Sequence, residues 1–192
     1  MPGPRPCPPS SAVARALQLL SEPTNKTTGY QLGTGDYHAQ LPDLPWTGNN
    51  GAIGSDCAGF ICWCYELVRH RPGFNVGGWA TVSHDINTDS ACEDADHMRE
   101  LFAPVVDAPQ LGDLLIYATV PRIGEAGPWM GHVSIVLDAS QWNPLSWASL
   151  RVAQCCGPNG RMPAVIATDG SIWDHHDATW PTHRSRLLRV VP

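Results

Sequence analysis

The sequence predicts an α+β fold in which helices pack on one antiparallel β-sheet, against one of its faces. Two observations predict it: helix-like apolar periodicity comes first in the chain, and short β-like runs, separated by glycine and proline turns, gather after residue 114. A third sets the scale. At 192 residues, 43% hydrophobic and 16% charged, the chain can bury one core, and a second domain would lack room for its own. We therefore expect a single domain over residues 1–192, with the proline-rich residues 1–9 flexible.

Ser10 or Ser11 can cap a helix over residues 12–20, with Val13, Ala16, Leu17 and Leu20 on one face, and Glu22-Pro23 ends it. Residues 24–56 are rich in Gly, Pro, Asn and Thr and read as a long loop or paired turns. Asp56 or Ser55 then caps a second helix, from Cys57 to about His70, with an apolar stripe of Phe60, Ile61, Cys64, Leu67 and Val68. Arg71-Pro72-Gly73 is its expected stop. Residues 73–110 mix loop with a short helix near Ala95–Phe102. The β-like runs are Leu114–Ala118, His132–Leu137, Leu150–Cys155, Ala164–Ala167 and Leu187–Val191.

Composition excludes several functions. A net charge of -6 with no basic cluster argues against a nucleic-acid surface. No apolar run approaches membrane-spanning length, and the start of the chain lacks the apolar stretch and cleavage site of a secretory signal, so synthesis in the cytoplasm is expected. Seven cysteines leave at least one thiol free if the rest pair. Cys62 and Cys64 would point in nearly opposite directions on a helix, and adjacent Cys155 and Cys156 have neither zinc-like nor disulfide spacing. A structural zinc site is therefore not expected.

Chemistry concentrates at Cys57. A thiol becomes a strong nucleophile when its thiolate is stabilised, and a helix N-terminus supplies positive potential for that. The N–H groups of the same first turn could hold an oxyanion, and Gly59 would let a substrate approach. His132 opens an apolar strand after a Gly-Pro-rich turn, where its ring could act as the partner base. Trp79, within Gly77-Gly78-Trp79-Ala80-Thr81, is a candidate groove wall on which a substrate could stack. Asp174-His175-His176-Asp177, between Trp173 and Trp180, resembles a metal cluster on paper but reads as a polar surface loop. Asp113 and Asp169 read as turn residues, and His183–Arg186 as the solvated start of the last strand.

Asp56-Cys57-Ala58-Gly59-Phe60, Gly112-Asp113-Leu114 and Gly131-His132-Val133-Ser134-Ile135-Val136 resemble the D-C-S-G-F, P-G-D-L and G-H-V-G-I motifs of the NlpC/p-sixty family of cysteine peptidases. Tyr30-Gln31-Leu32-Gly33-Thr34-Gly35 resembles the tyrosine-glycine segment that precedes the family's nucleophile. The match in order and rough spacing runs from Tyr30 to about Cys156. The resemblance implies a papain-like core, hydrolysis of amide bonds in the peptide stems of peptidoglycan, Cys57 as nucleophile and His132 as base, with no metal or organic cofactor. It further implies that the Tyr30 hydroxyl assists at the oxyanion, and that a polar residue on the strand after the histidine orients the imidazole. Gln154 is the leading candidate there, with Cys155 and Cys156 as alternatives.

Asp56 is a second candidate contact for a substrate amine, alongside its role as helix cap. Ala58 stands where the family commonly has Ser, which removes a hydroxyl from that amine site. Such an enzyme would reach the cell wall by export, injection or lysis. An immunity or delivery partner would be consistent with a toxin role. The competing expectation is the same Cys–His pair acting on another amide or acyl substrate, as an acyltransferase, deamidase or effector toxin.

Overall fold

The computed structural model describes residues 5–22, 55–70, 76–77, 82–83, 85–120, 130–157 and 163–191. The fold is α+β. Among the described residues, four α-helices, α1 (Pro9–Ser21), α2 (Cys57–Tyr65), α3 (Thr88–Asp96) and α4 (Ser171–Thr179), accompany a two-stranded ribbon of β1 (Val76–Gly77) and β2 (Val82–Ser83). The main sheet has six strands: β3 (Phe102–Pro104), β4 (Leu114–Tyr117), β5 (His132–Asp138), β6 (Arg151–Cys155), β7 (Val165–Asp169) and β8 (Arg186–Val190). Their order is β3-β8-β4-β5-β6-β7, and every pairing is antiparallel. Among the described residues, no helix is long and apolar enough to cross a membrane.

Side chains alternate across a strand, so each strand divides its residues between two faces. Leu114, Ile116, Val133, Ile135, Ala153, Cys155, Leu188 and Val190 join the larger core with α1, α2 and α3. Leu115, Tyr117, Val136, Val152 and Leu187 form a second core with Trp173 of α4. The expectation that helices occupy one face is therefore corrected: α4 covers part of the other. The residues read as a polar loop, 174–177, lie within that helix.

Three other boundaries differ from expectation for local reasons. α1 starts at Pro9, whose fixed φ and missing N–H suit a first helical position, so no serine cap is used. The segment before it was expected to be flexible, yet Cys7 N–H donates to Tyr65 O at 2.9 Å and its thiol to Cys64 O at 3.2 Å. α2 stops at Tyr65 rather than running to His70. Glu66 adopts a left-handed conformation (φ 59°), and Leu67 N–H closes back on Cys62 O at 2.8 Å.

The helix expected near Ala95–Phe102 lies earlier. Asn87 and Ser90 cap each other's backbone at the start of α3, and Phe102 already belongs to β3. Buried Asp94 holds the turn between them, accepting N–H bonds from Glu100, Leu101 and Phe102.

Asp113, expected at a turn, does more than turn the chain. It is 2% exposed and takes both arms of Arg189 on β8, at 2.8 Å each, plus Gln110 N–H. That pair fixes the start of β4 against β8, two strands from the site described next.

Candidate active site

Cys57 is the first residue of α2, and Asp56 is its N-cap: Asp56 Oδ1 accepts Gly59 N–H at 2.7 Å. The cap is reinforced from outside the helix. Arg69 Nη1 donates to Asp56 Oδ1 at 3.0 Å and Nη2 to Oδ2 at 2.8 Å. With Asp56 only 3% exposed and both oxygens engaged, its expected second role as a substrate-amine contact gives way to that of helix cap and partner of Arg69.

The Cys57 thiol is buried and its pKa is pushed up to about 12, first by burial and then by the neighbouring Asp56 carboxylate. The N–H groups of Val133 and Ala58 and the Arg69 charge pull in the opposite direction. The sulfur thus reaches β5 at Val133, one residue beyond His132.

His132 is the first residue of β5 and is 8% exposed. Its Nε2 lies 2.6 Å from Gln154 Oε1 on β6. The register accounts for this contact, because Gln154 pairs with Ser134, and His132, Ser134 and Gln154 share the α4 face of the sheet. Cys155 faces the other way and donates its thiol to Ser55 O at 3.1 Å. With the amide oxygen as acceptor, Nε2 carries the proton of the neutral ring, and Nδ1 is the free base. Burial lowers the His132 pKa below its ordinary 6.5, opposed by the Gln154 hydrogen bond and the Asp56 charge.

The aromatic surroundings were not read from the sequence. Trp173, fully buried, stacks on the His132 ring with centroids 5.4 Å apart and planes at 28°. Tyr117 lies 6.2 Å from the same ring and stacks on His176 at 3.8 Å. The only available signal was Trp173 and His176 at helical spacing, three residues apart in an otherwise polar run.

The two aspartates of that run hold α4 in place rather than a metal. Asp174 accepts Trp147 N–H and Ser146 O–H at 2.7 Å, and Asp177 accepts Trp147 Nε1–H at 2.9 Å and Ser185 O–H at 2.6 Å. Among the described residues, no group of three or more His, Cys, Asp or Glu is arranged to hold a metal ion.

The structure therefore joins His132, Gln154 and Trp173 in one cluster and brings the Cys57 sulfur to the adjacent backbone. It does not join Cys57 to His132 by a hydrogen bond. The two reach β5 from opposite faces, at the strand's first two residues. Tyr30 and Trp79, the remaining expected contacts, lie outside the described residues.

No protein-family model and no curated protein matches the chain.

Proposed function

We propose that the chain is a cysteine hydrolase with a papain-like arrangement of the NlpC/p-sixty type, acting on amide bonds in the peptide stems of peptidoglycan. The observation that carries the reading is the 2.6 Å contact between His132 Nε2 and Gln154 Oε1 beneath Trp173. It fixes the tautomer whose Nδ1 can take a proton, and it does so one residue from where a helix-start thiol meets the strand. A base held by a third group next to a nucleophile is the general logic of acyl-transfer sites.

Burial keeps both partners neutral at rest, with the thiol protonated and the imidazole not. Reaction begins when the Cys57 side chain turns from the Val133 amide toward Nδ1, around the end of the strand, and passes its proton to His132. The thiolate attacks the amide carbon, and the N–H groups at the start of α2 receive the developing oxyanion. The imidazolium then protonates the departing amine, leaving a thioester on Cys57. Water, deprotonated by His132, releases the acid and restores the thiol.

The resemblance of the Asp-Cys-Ala-Gly-Phe and Gly-His-Val segments supports the peptidoglycan substrate. Two observations favour a second reading, the same chemistry on a different amide or acyl group: Ala58 lacks the family's hydroxyl, and Arg69 occupies the carboxylate of Asp56. Mass spectrometry of muropeptides, wild type against Cys57→Ala, separates these readings. New stem-peptide fragments that vanish in the variant are expected. Fragments that persist in it would remove Cys57 from the mechanism, and an acyl-enzyme formed without murein cleavage would favour the second reading. Treatment with a dihaloacetone, whose two electrophilic carbons flank one carbonyl, checks the proton transfer directly. A Cys57–His132 cross-link is expected, and reaction confined to Cys57 would mean the side chains never meet.

A further inference from the structure

α2 contains nine residues, which rise about 12 Å from Cys57 to Tyr65. The chain then reverses at Glu66 and comes back along the helix, so Arg69, thirteen positions after Asp56, reaches the end where the helix began. Its backbone is held there as well, with Ile86 N–H donating to Arg69 O at 2.9 Å. The side chains of Arg69 and Asp56 are only 14% and 4% exposed, and the two-point geometry leaves both carboxylate oxygens engaged. A cap alone does not need this. Aspartate, asparagine and serine all cap well without a cation, and a buried guanidinium is costly to desolvate.

The adjacent sulfur gives the pair a purpose. An aspartate beside a nucleophilic cysteine sets two negative charges next to each other whenever the thiol ionises, in a setting that screens them poorly. We propose that Arg69 is a positioning residue for Cys57: by closing on both oxygens of Asp56 it fixes the start of α2 and cancels the charge that the cap would otherwise place against the thiolate. This rests on the reading of Cys57 as nucleophile. Other titratable groups around the Asp56–Arg69 pair and the sulfur are Cys155 on β6, Cys62 on α2 itself, and His132 on the far face of β5, which feels the Asp56 charge. None of them carries a positive charge at rest, so Arg69 is the cation among these neighbours.

The test is the rate at which iodoacetamide alkylates Cys57 in the full chain near neutral pH, followed on the Cys57 peptide by mass spectrometry. Only the thiolate reacts, so the rate reports its population. Arg69→Met should slow alkylation about tenfold, because Asp56 is left unopposed. Asp56→Asn keeps a capping side chain and leaves Arg69 unopposed, so it should accelerate alkylation by a similar factor. The double variant should return to within about threefold of wild type. A purely structural Arg69 would produce neither the acceleration nor the restoration.

If Arg69→Met does not fold, Asp56→Asn still decides the matter by its acceleration, and Arg69→Lys, which keeps the charge but loses the two-point contact, should alkylate more slowly than wild type by less than tenfold. Equal rates in all folded variants overturn the proposal. Its failure is distinct from failure of the hydrolase reading. Muropeptide cleavage that survives Cys57→Ala would sink the latter while leaving the order of alkylation rates intact.

Discussion

Trp173 lies against the imidazole of His132, ring centroids 5.4 Å apart, although one residue sits on a helix and the other at the start of a strand 41 positions earlier. The indole shields the ring and its bond to Gln154 from water, and burial is the first cause of the lowered His132 pKa. Trp173→Phe should keep most of the core and admit water, so the His132 pKa should rise toward 6.5. Two-dimensional NMR titration of the ring protons would show it. Trp173→Ala should instead cost about 3–5 kcal/mol of stability, seen in urea denaturation.

Gln154 is neutral, so it orients the imidazole without strongly favouring its charged form. Gln154→Ala should lower the turnover number about 10²-fold with little effect on substrate affinity. Gln154→Glu should keep the orientation but add a negative charge that stabilises imidazolium. The His132 pKa then rises, and because the base works in its neutral form, the acid limb of the pH–rate profile must move to higher pH. An unmoved limb would mean that His132 is not the titrating base.

Gly131 precedes His132, and its side-chain position is taken. A Cβ there would lie 2.2 Å from Thr88 Oγ1 and 2.8 Å from Tyr117 O, the second a backbone atom that cannot swing aside. Gly131→Ala should cost about 1–3 kcal/mol and displace the start of β5. Activity should fall further than stability explains, measured at a temperature where the variant remains folded.

Burial lowers the pKa of both His132 and His176, the latter against a contact with Asp177. In the unfolded chain each takes up a proton near 6.5, whereas the native protein resists it until lower pH. The unfolded state therefore binds more protons between those values, and stability is full above 6.5 and lost as the pH falls through the native values. Thermal unfolding between pH 7.5 and 5 should show a falling midpoint, and His176→Asn should flatten the slope.

The strands of the main sheet after residue 110 were legible because β-branched and aliphatic runs sit between clear turns, and the start of α2 because Asp56 is a strong cap. Gln154 was legible only through motif position. Its face of the sheet follows from the β5–β6 register, which includes a shift near Asp138 that no local pattern announces. α4 was hidden because Trp173 and His176 are its only buried residues, too few to make a stripe. α3 was misplaced because its inward face is built from small residues, Ala91, Cys92 and Ala95, with weak periodic contrast. The early end of α2 depends on Glu66 accepting a left-handed backbone, and the return of Arg69 to Asp56 is a tertiary contact that spacing alone does not encode.

β8 stands between β3 and β4, paired with both. A ribosome making this chain must therefore pass Val190 before the gap between the edge strand β3 and β4 can close, after α4 has already emerged. Until that moment β3 has no neighbour in the sheet, whereas β4, β5, β6 and β7 can already pair and bring His132 to Gln154, so the last strand closes the sheet behind a site that is largely assembled.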